Sequence, residues 1–196
     1  MKLKDFKKKM QKNVFTTAQA HVIAFRDNPK LINLQLHQWK KSGDVVQLKR
    51  GVFMFADSKP VIAEIAGSLC SPCYFSLEYA LSLYGIMPEA VFSYTLVTTK
   101  KTQQFKTPVG NFIYQSIKKE AFTGFDVKTL IADPEKALVD YFYLNSSRLG
   151  ANEIFWEESR LNGSELDFSK VFYYAKLFKS GKLITLLKDF KNYAKT

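Results

Sequence analysis

Phe15–Phe55 reads FTTAQAHVIAFRDNPKLINLQLHQWKKSGDVVQLKRGVFMF, a stretch along which signals for two helices and a hairpin follow one another. Thr16 and Gln19 fit the Ser/Thr-x-x-Glu/Gln capping box, in which each side chain bonds to the other residue's backbone amide, so a first helix is predicted to begin here. Apolar residues then continue at helical spacing, at Ala18, Val22 and Phe25. We expect this helix to end near Arg26.

A second helix is predicted from Pro29, because Asn28 can cap the free backbone amides and proline at the first helical position loses no hydrogen bond. Gly43 is expected to end it. At about 100° per residue, apolar side chains group on one side of this helix: Leu31, Ile32, Leu36 and Trp39. Polar side chains group on the other side: Lys30, Asn33, His37, Lys40 and Lys41. Leu34 fits neither side cleanly.

Two β-prone runs follow the second helix and predict a hairpin. Val45–Leu48 and Val52–Phe55 are its strands, and in the turn between them Gly51 can adopt the positive φ that hairpins often need. The order of helix, turn, helix and hairpin predicts a winged helix-turn-helix domain over residues 1–58, with the hairpin as its wing.

The positive charge of the chain is concentrated in the same region. Residues 1–60 hold 13 Lys and Arg against four Asp and Glu, so they carry +9 of the net +11. The polar stripe of the second helix could contact base edges in a major groove and the phosphates that flank it. Lys49 and Arg50 in the hairpin turn could contact phosphates or a minor groove beside the second helix. We therefore predict double-stranded DNA as a partner. A solvated lysine-rich helix face and an ordinary hairpin with a charged turn are the alternative interpretations.

Residues 59–196 have a nearly neutral charge balance, and a second domain is predicted there. Helix patterns in it alternate with strand patterns, which assigns the chain to the α+β class, with helices at its end. The predicted elements are helices over 61–66, 74–84, 153–158, 168–178 and 182–193, strands over 91–99 and 111–117, and a turn over 105–110. Each of the last two helices has an apolar stripe, formed in the first by Phe168, Val171, Phe172, Ala175 and Phe178 and in the second by Leu183, Leu186, Leu187 and Phe190. Ser76 is expected to cap the helix over 74–84.

No catalytic, metal or cofactor site is predicted from the sequence. Cys70-Ser-Pro-Cys73 has dithiol spacing without convincing thioredoxin-like flanks, so two half-buried small residues in a loop are the favoured interpretation over a redox role. His21 and His37 lack the spacing of a zinc site. No apolar run approaches the ~20 residues of a membrane-spanning helix, and no signal-peptide pattern is present. We expect a protein of the cytoplasm that is not an enzyme and binds no membrane.

Four segments resemble a known family in their order and spacing. They are LHQWKKSGDVVQLKRGVF at Leu36–Phe53, YFSLEYALSLYG at Tyr74–Gly85, FKTPVGNFIY at Phe105–Tyr114 and IADPEKALVD at Ile131–Asp140, the last being the most specific. In these segments the chain resembles the AbiEi-type antitoxins of bacterial type IV toxin–antitoxin systems, which include abortive-infection phage-defence systems. The resemblance extends from about residue 14 to 145.

The resemblance implies a winged-helix domain that represses its own operon at operator DNA with repeats. It also implies a second domain that counteracts a nucleotidyltransferase-like toxin encoded beside it. The chain is short for the family, and Cys70-Ser-Pro-Cys73 is not a family pattern. A stand-alone DNA-binding regulator, or a protein-interaction module without a toxin partner, is therefore the alternative.

Asp133-Pro-Glu-Lys136 places carboxylates beside a lysine, a combination found in nuclease sites. Nucleases of the PD-(D/E)xK type need an acidic residue two positions before the lysine, where this chain has Pro134. Asp133 and Pro134 instead fit the cap and first residue of a helix, with Glu135 near its positive end. Its predicted buried face consists of Ala137, Leu138, Tyr141 and Phe142. A partner-contact role is the alternative for Glu135, Lys136 or Asp140.

Overall fold

The computed structural model describes residues 1–24, 29–147, 156 and 160–194 of the 196-residue chain. The chain divides into two compact units, Met1–Ser71 with Phe105–Asn111 and Pro72–Gln104 with Phe112–Thr196. The described residues form eight α-helices and two sheets, so the predicted α+β class is confirmed. The sequence-based domain boundary stands between residues 58 and 59, whereas the first unit defined by contacts continues to Ser71.

The first unit begins with a helix and a strand, continues with two helices and a hairpin, and then adds a further helix. Its elements are α1 (Leu3–Met10), β1 (Val14–Thr16), α2 (Thr17–Ile23), α3 (Pro29–Ser42), β2 (Val45–Lys49), β3 (Val52–Phe55) and α4 (Ile62–Leu69). The strands form an antiparallel sheet in the order β1-β3-β2. The first strand of the unit therefore pairs with the second strand of the hairpin.

Aromatic side chains from α1 and the sheet make the core of the first unit. The Phe15 ring lies 4.9 Å from the Phe55 ring and 5.3 Å from the Phe6 ring, measured between centroids. Ile32 and Leu36 of α3 are buried in the same cluster. Burial of one such side chain contributes roughly 1.5–3 kcal/mol, so these contacts hold α1, α3 and the sheet together.

Helix α2 begins at the predicted capping box. The Thr16 hydroxyl accepts a hydrogen bond from the Gln19 backbone amide at 3.2 Å, and the Gln19 side-chain oxygen accepts one from the Thr16 backbone amide at 2.8 Å. Two of the backbone amides that open the helix thereby gain acceptors, as the sequence pattern predicts.

The residues of α2 that are buried are not those whose helical spacing predicted the helix. Ala20 and Ala24 are buried, while Val22 is 74% exposed. Because alanine side chains are small, burial of Ala20 and Ala24 brings the backbone of α2 close to the core. The spacing of the larger apolar residues does not predict this orientation of the helix. Phe25, Arg26 and Asn28, where this helix was expected to end and the next to be capped, lie outside the described residues.

The hairpin has the predicted strands and turn. Its pairing register shifts between Gln47 and Lys49, so that Lys49 lies opposite Val52. Gly51 adopts φ +77°, in the left-handed region that favours glycine. A bulge of this kind increases the local twist of a hairpin.

The rest of the chain contains a four-stranded sheet with the order β4-β5-β7-β6 and several helices. Its elements are β4 (Cys73–Phe75), α5 (Leu77–Leu83), β5 (Ser93–Thr98), β6 (Gln103–Thr107), β7 (Gly110–Ser116), α6 (Pro134–Asn145), α7 (Phe168–Lys176) and α8 (Gly181–Tyr193). A single 3-10 turn spans Lys119–Ala121. Residues 105–111, which include the turn between β6 and β7, count with the first unit.

Two local predictions in this sheet are wrong. Tyr74 and Phe75 were expected in a helix but form part of β4, in which Tyr74 pairs with Val97. The Phe75 backbone is further held by Leu130, whose carbonyl accepts a hydrogen bond from the Phe75 amide at 2.6 Å. Gln103–Thr107 is a strand, whereas the sequence predicts a turn from residue 105. β4 gains backbone partners from residues far away in sequence, which local propensity cannot anticipate. Gln103–Thr107 instead lies at the edge of the sheet beside the next strand of the chain, β7.

The two predicted C-terminal helices are present with their predicted apolar stripes. Their buried residues include Val171, Ala175, Phe178, Leu183, Leu186, Leu187 and Phe190. Ser180 caps α8 by accepting a hydrogen bond from the Leu183 amide at 3.3 Å. The helix predicted over 153–158 lies outside the described residues except for Trp156, which is buried against Phe142. None of the helices in the described part of the chain has the length and apolar character needed to cross a membrane.

Thr16→Ala is expected to lower the free energy of unfolding by about 1 kcal/mol. It leaves the Gln19 backbone amide without its side-chain acceptor. Thr16→Ser keeps a hydroxyl group and is the matched control. Urea denaturation followed by circular dichroism measures the difference, and equal stability of the alanine and serine variants would contradict this role of the capping box.

Candidate functional site

All five polar residues predicted on one face of the second helix are exposed on α3. They are Lys30, Asn33, His37, Lys40 and Lys41. Ile32 and Leu36 are buried on the opposite side, as predicted. The assignment of Leu31 to the buried side is wrong, because this residue is 43% exposed. Leu34 is 52% exposed. The rotation of α3 about its axis is therefore set by a narrow apolar stripe.

Asn33 is held by a residue that the sequence interpretation did not include. The His21 Nε2 atom of α2 lies 2.9 Å from the Asn33 Oδ1 atom, at hydrogen-bond distance. A carbonyl oxygen only accepts, so the imidazole donates this bond. The Asn33 amide group retains its two N–H donors, which suit an acceptor such as N7 or O6 of guanine.

Lys40 connects α3 to the hairpin. Its ammonium group donates a hydrogen bond to the Gln47 side-chain oxygen of β2 at 2.6 Å. Both side chains line an open cleft of about 550 Å³, together with Lys49 and Arg50. No Asp or Glu lines this cleft. We call it the cationic cleft, and its chemistry suits a phosphate group.

Lys49 and Arg50 differ in their surroundings. Arg50 is exposed at the turn of the hairpin, as predicted for a wing residue. Lys49 is half-buried, its ammonium group donates a hydrogen bond to the Leu69 carbonyl, and it lies 4.5 Å from the centroid of the Phe105 ring. Both partners belong to the first unit, as Lys49 does. Arg50 is therefore the more accessible of the two cations in this conformation.

The first unit keeps the charge excess seen in the sequence. Met1–Ser71 and Phe105–Asn111 together contain 14 Lys and Arg against five Asp and Glu. Lys7 of α1 forms an ion pair with Asp57, and the hydrogen bond from Lys7 lowers the pKa of that carboxyl. Lys4, Lys8 and Lys9 are exposed. The cationic surface of the first unit is thus wider than α3 and the hairpin.

The partner-contact alternative for the second unit concerned Glu135, Lys136 and Asp140, and all three are buried in α6. Lys136 and Asp140 are fully buried and form an ion pair. The Glu135 side chain accepts a hydrogen bond from the Asp167 backbone amide at 3.2 Å, beside the start of α7. None of the three side chains presents a surface to another protein in this conformation.

Tyr74, Ser76, Lys136 and Asp140 form one buried network. The Tyr74 hydroxyl donates to Asp140 at 2.8 Å and accepts from Lys136 at 2.8 Å. The Ser76 hydroxyl donates to the same carboxylate at 2.9 Å. Ser76 was predicted to cap α5, but its hydroxyl bonds to Asp140 and makes no capping hydrogen bond. Two of the segments that carry the family resemblance, at 74–85 and 131–140, meet in this network.

Burial is the largest influence on protonation in this network. Desolvation raises the pKa of Asp140, against the opposing effects of Lys136, Tyr74 and Ser76. Desolvation likewise lowers the pKa of Lys136. Burial and the nearby Asp140 charge raise the pKa of Tyr74. The hydrogen bonds among the four groups offset the unfavourable transfer of two charges out of water.

The residues that flank the start of α6 also bond within the second unit. Pro134 occupies the first helical position, as predicted, but Asp133 makes no capping hydrogen bond. Its carboxylate instead accepts a hydrogen bond from the Tyr174 hydroxyl at 2.7 Å. Of the face predicted to be buried, Ala137, Leu138 and Phe142 are buried and Tyr141 is half-buried. Asp133 and Glu135 thus connect α6 with α7 and the residue before it.

Lys136→Met is expected to lower the free energy of unfolding by about 3–5 kcal/mol. It leaves the Asp140 carboxylate buried without its counter-charge. Adding Asp140→Leu to it should cost less than the sum of the two single changes, because the double variant buries no charge. Urea denaturation measures this cycle, with the exposed Lys119→Met as control. Single changes no more costly than the control would contradict the role of the ion pair.

Comparison with protein-family models and with curated proteins finds no match to the chain. Among the described residues, no group of three or more His, Cys, Asp or Glu side chains is arranged to hold a metal ion. The exposed face of α3, the cationic cleft and the buried network are the features from which function is argued.

Proposed function

We propose that the chain is a DNA-binding transcriptional regulator whose first unit is a winged helix-turn-helix module. The order of elements supports this proposal, because α1, β1, α2 and α3 precede the β2–β3 hairpin. In helix-turn-helix proteins the second helix of the motif lies in the major groove. This assigns recognition to α3 and makes the hairpin the wing.

The observation that carries the proposal is the composition of the exposed face of α3. The whole helix contains three lysines and one histidine but no Asp or Glu. A surface that serves only solubility usually intersperses both signs of charge. DNA presents a phosphate charge for about every 1.7 Å of its axis, and a face of lysines with one amide and one imidazole suits both its backbone and its base edges.

The cationic cleft extends this face towards the wing. Lys40 and Arg50 line it, and no acidic side chain does. A phosphate of the DNA backbone bound there would contact α3 and the hairpin together. This contact would fix the register of α3 on the duplex, which is the role that phosphate contacts have in DNA recognition.

The regulator is further proposed to repress its own operon at operator repeats and to counteract a nucleotidyltransferase-like toxin through its second unit. The four segments that resemble the AbiEi-type antitoxins support this part of the proposal. Since Lys136 and Asp140 are buried, a contact with a toxin falls to exposed residues of the second unit. The antitoxin proposal therefore assigns toxin binding to the second unit and gives the chain no enzymatic role.

An exposed cleft in the second unit suits such a contact, and it also supports the alternative of a protein-interaction module. The cleft has a volume of about 630 Å³, and its lining combines apolar residues with uncharged polar residues and the two acidic residues Glu78 and Glu89. Phe92 at this cleft is 93% exposed. Aromatic side chains, phenylalanine among them, are enriched at protein–protein interfaces relative to the rest of the protein surface.

Mobility-shift titrations with the promoter of the chain's own gene test the regulator. Wild-type protein should prefer this promoter over random duplex, and log K should fall with log salt by about 0.9 per phosphate neutralised. Arg50→Ala should weaken binding to all sequences alike, whereas His37→Ala should blur the preference among sequences. Lys119→Ala is the matched control, because Lys119 is an exposed lysine of the second unit. Equal binding of promoter and random duplex would overturn the regulator proposal.

Co-expression with the product of the neighbouring gene tests the antitoxin role. If that product is toxic, we expect the chain to restore growth, and a Lys41→Ala/Arg50→Ala variant to do so as well, because the second unit is proposed to act on the toxin. Phe92→Ala should reduce rescue, while Tyr173→Ala at another exposed site should not. Colony counts measure the effect. Failure of the wild-type chain to restore growth would contradict the antitoxin role without affecting the DNA-binding result.

A further inference from the structure

Leu34, which the sequence pattern assigned cleanly to neither side of the helix, lies on the exposed face of α3 that is proposed to read DNA. It is four residues after Lys30, three before His37 and seven before Lys41, so it shares one side of the helix with all three. It is 52% exposed, whereas Ile32 and Leu36 fill the buried stripe. Leu34 therefore contributes a large apolar group to an otherwise cationic surface.

The surrounding charge decides which kind of partner suits this group. A second copy of α3 docked on Leu34 would bring Lys30 and Lys41 against the same residues of the partner, and such like-charge contacts are unfavourable. An anionic partner that also presents an apolar group is more favourable than a second copy of the chain. In the major groove of DNA, that group is the 5-methyl group of thymine, which apolar side chains contact.

We propose that Leu34 determines part of the sequence preference of the chain by contacting the 5-methyl group of a thymine in the major groove. The inference rests on the proposed DNA-binding function and adds to it a specific residue and a specific chemical group. Lys30, Lys40 and Lys41 then supply contacts to the backbone, while Leu34 distinguishes thymine from cytosine at one position of the site.

Replacing thymine by deoxyuridine tests this inference, because it removes the methyl group and leaves the hydrogen-bonding groups of the base unchanged. The protected region of the promoter is first mapped by footprinting with the wild-type chain. Duplexes with a single deoxyuridine at each thymine of that region are then titrated by fluorescence anisotropy. We expect at least one position at which wild-type binding weakens by about fourfold, the effect of losing one buried methyl contact.

Leu34→Ala should bind thymine and deoxyuridine duplexes equally at that position, and Leu34→Met, which keeps an apolar side chain, should retain the discrimination. Leu31→Ala is the matched control, since Leu31 is a 43% exposed leucine of the same helix. Circular dichroism checks that each variant is folded, and sedimentation velocity compares its oligomeric state with that of the wild type.

Three results would overturn this inference alone. The first is a wild-type chain that prefers its promoter but responds to no deoxyuridine, which leaves the DNA-binding proposal intact. The second is a Leu34→Ala variant that keeps the wild-type discrimination. The third is a change of oligomeric state in Leu34→Ala without a change in discrimination, which would place Leu34 in a contact between copies of the chain. Absence of any promoter preference in the wild type would overturn both proposals.

Discussion

The packing of Ile32 and Leu36 against the aromatic core of the first unit is the contact on which the candidate DNA-binding surface depends. These two residues set the rotation of α3, because Phe6, Phe15 and Phe55 provide the apolar surface for the helix. Once that side is buried, the polar side chains of the helix lie on its exposed side, where His21 donates a hydrogen bond to Asn33 and Lys40 donates one to Gln47. The proposed function of the first unit therefore begins with its core.

In the first unit the charged side chains of α3 are exposed, whereas in the second unit those of Asp133–Asp140 form contacts within the unit. The carboxylates and the lysine of Asp133–Asp140 bond to groups of the same unit, and Tyr74 and Ser76 complete the hydrogen bonds of the central ion pair. A buried ion pair contributes little net stability, but removing one partner is costly. The segment with the most specific family resemblance thus joins β4 and the residue before α5 to α6, and leaves any partner contact to other residues.

Local signals predicted the parts of the fold that local interactions determine. The capping box at Thr16, the turn at Gly51 and the stripes of α7 and α8 depend on neighbouring residues, and the structure contains them. The strand at Tyr74 depends on partners distant in sequence, and its local pattern predicted a helix. The strand at Gln103 lies beside the next strand of the chain, and the turn between the two was predicted to begin too early, at residue 105. For the candidate site, helical spacing predicted the exposed residues of α3, but not the contact of His21 with Asn33 or the shared cleft of Lys40 and Arg50.

The hydrogen bond from Lys40 to Gln47 has a mechanical consequence. It connects the C-terminal part of α3 to β2, so the helix and the hairpin are already joined before any ligand binds. Ordering loops and side chains on binding reduces affinity, and a surface that is rigid beforehand avoids much of that loss. Under the proposed DNA-binding function, this bond would let α3 and the hairpin of the first unit engage a duplex as one pre-organised body.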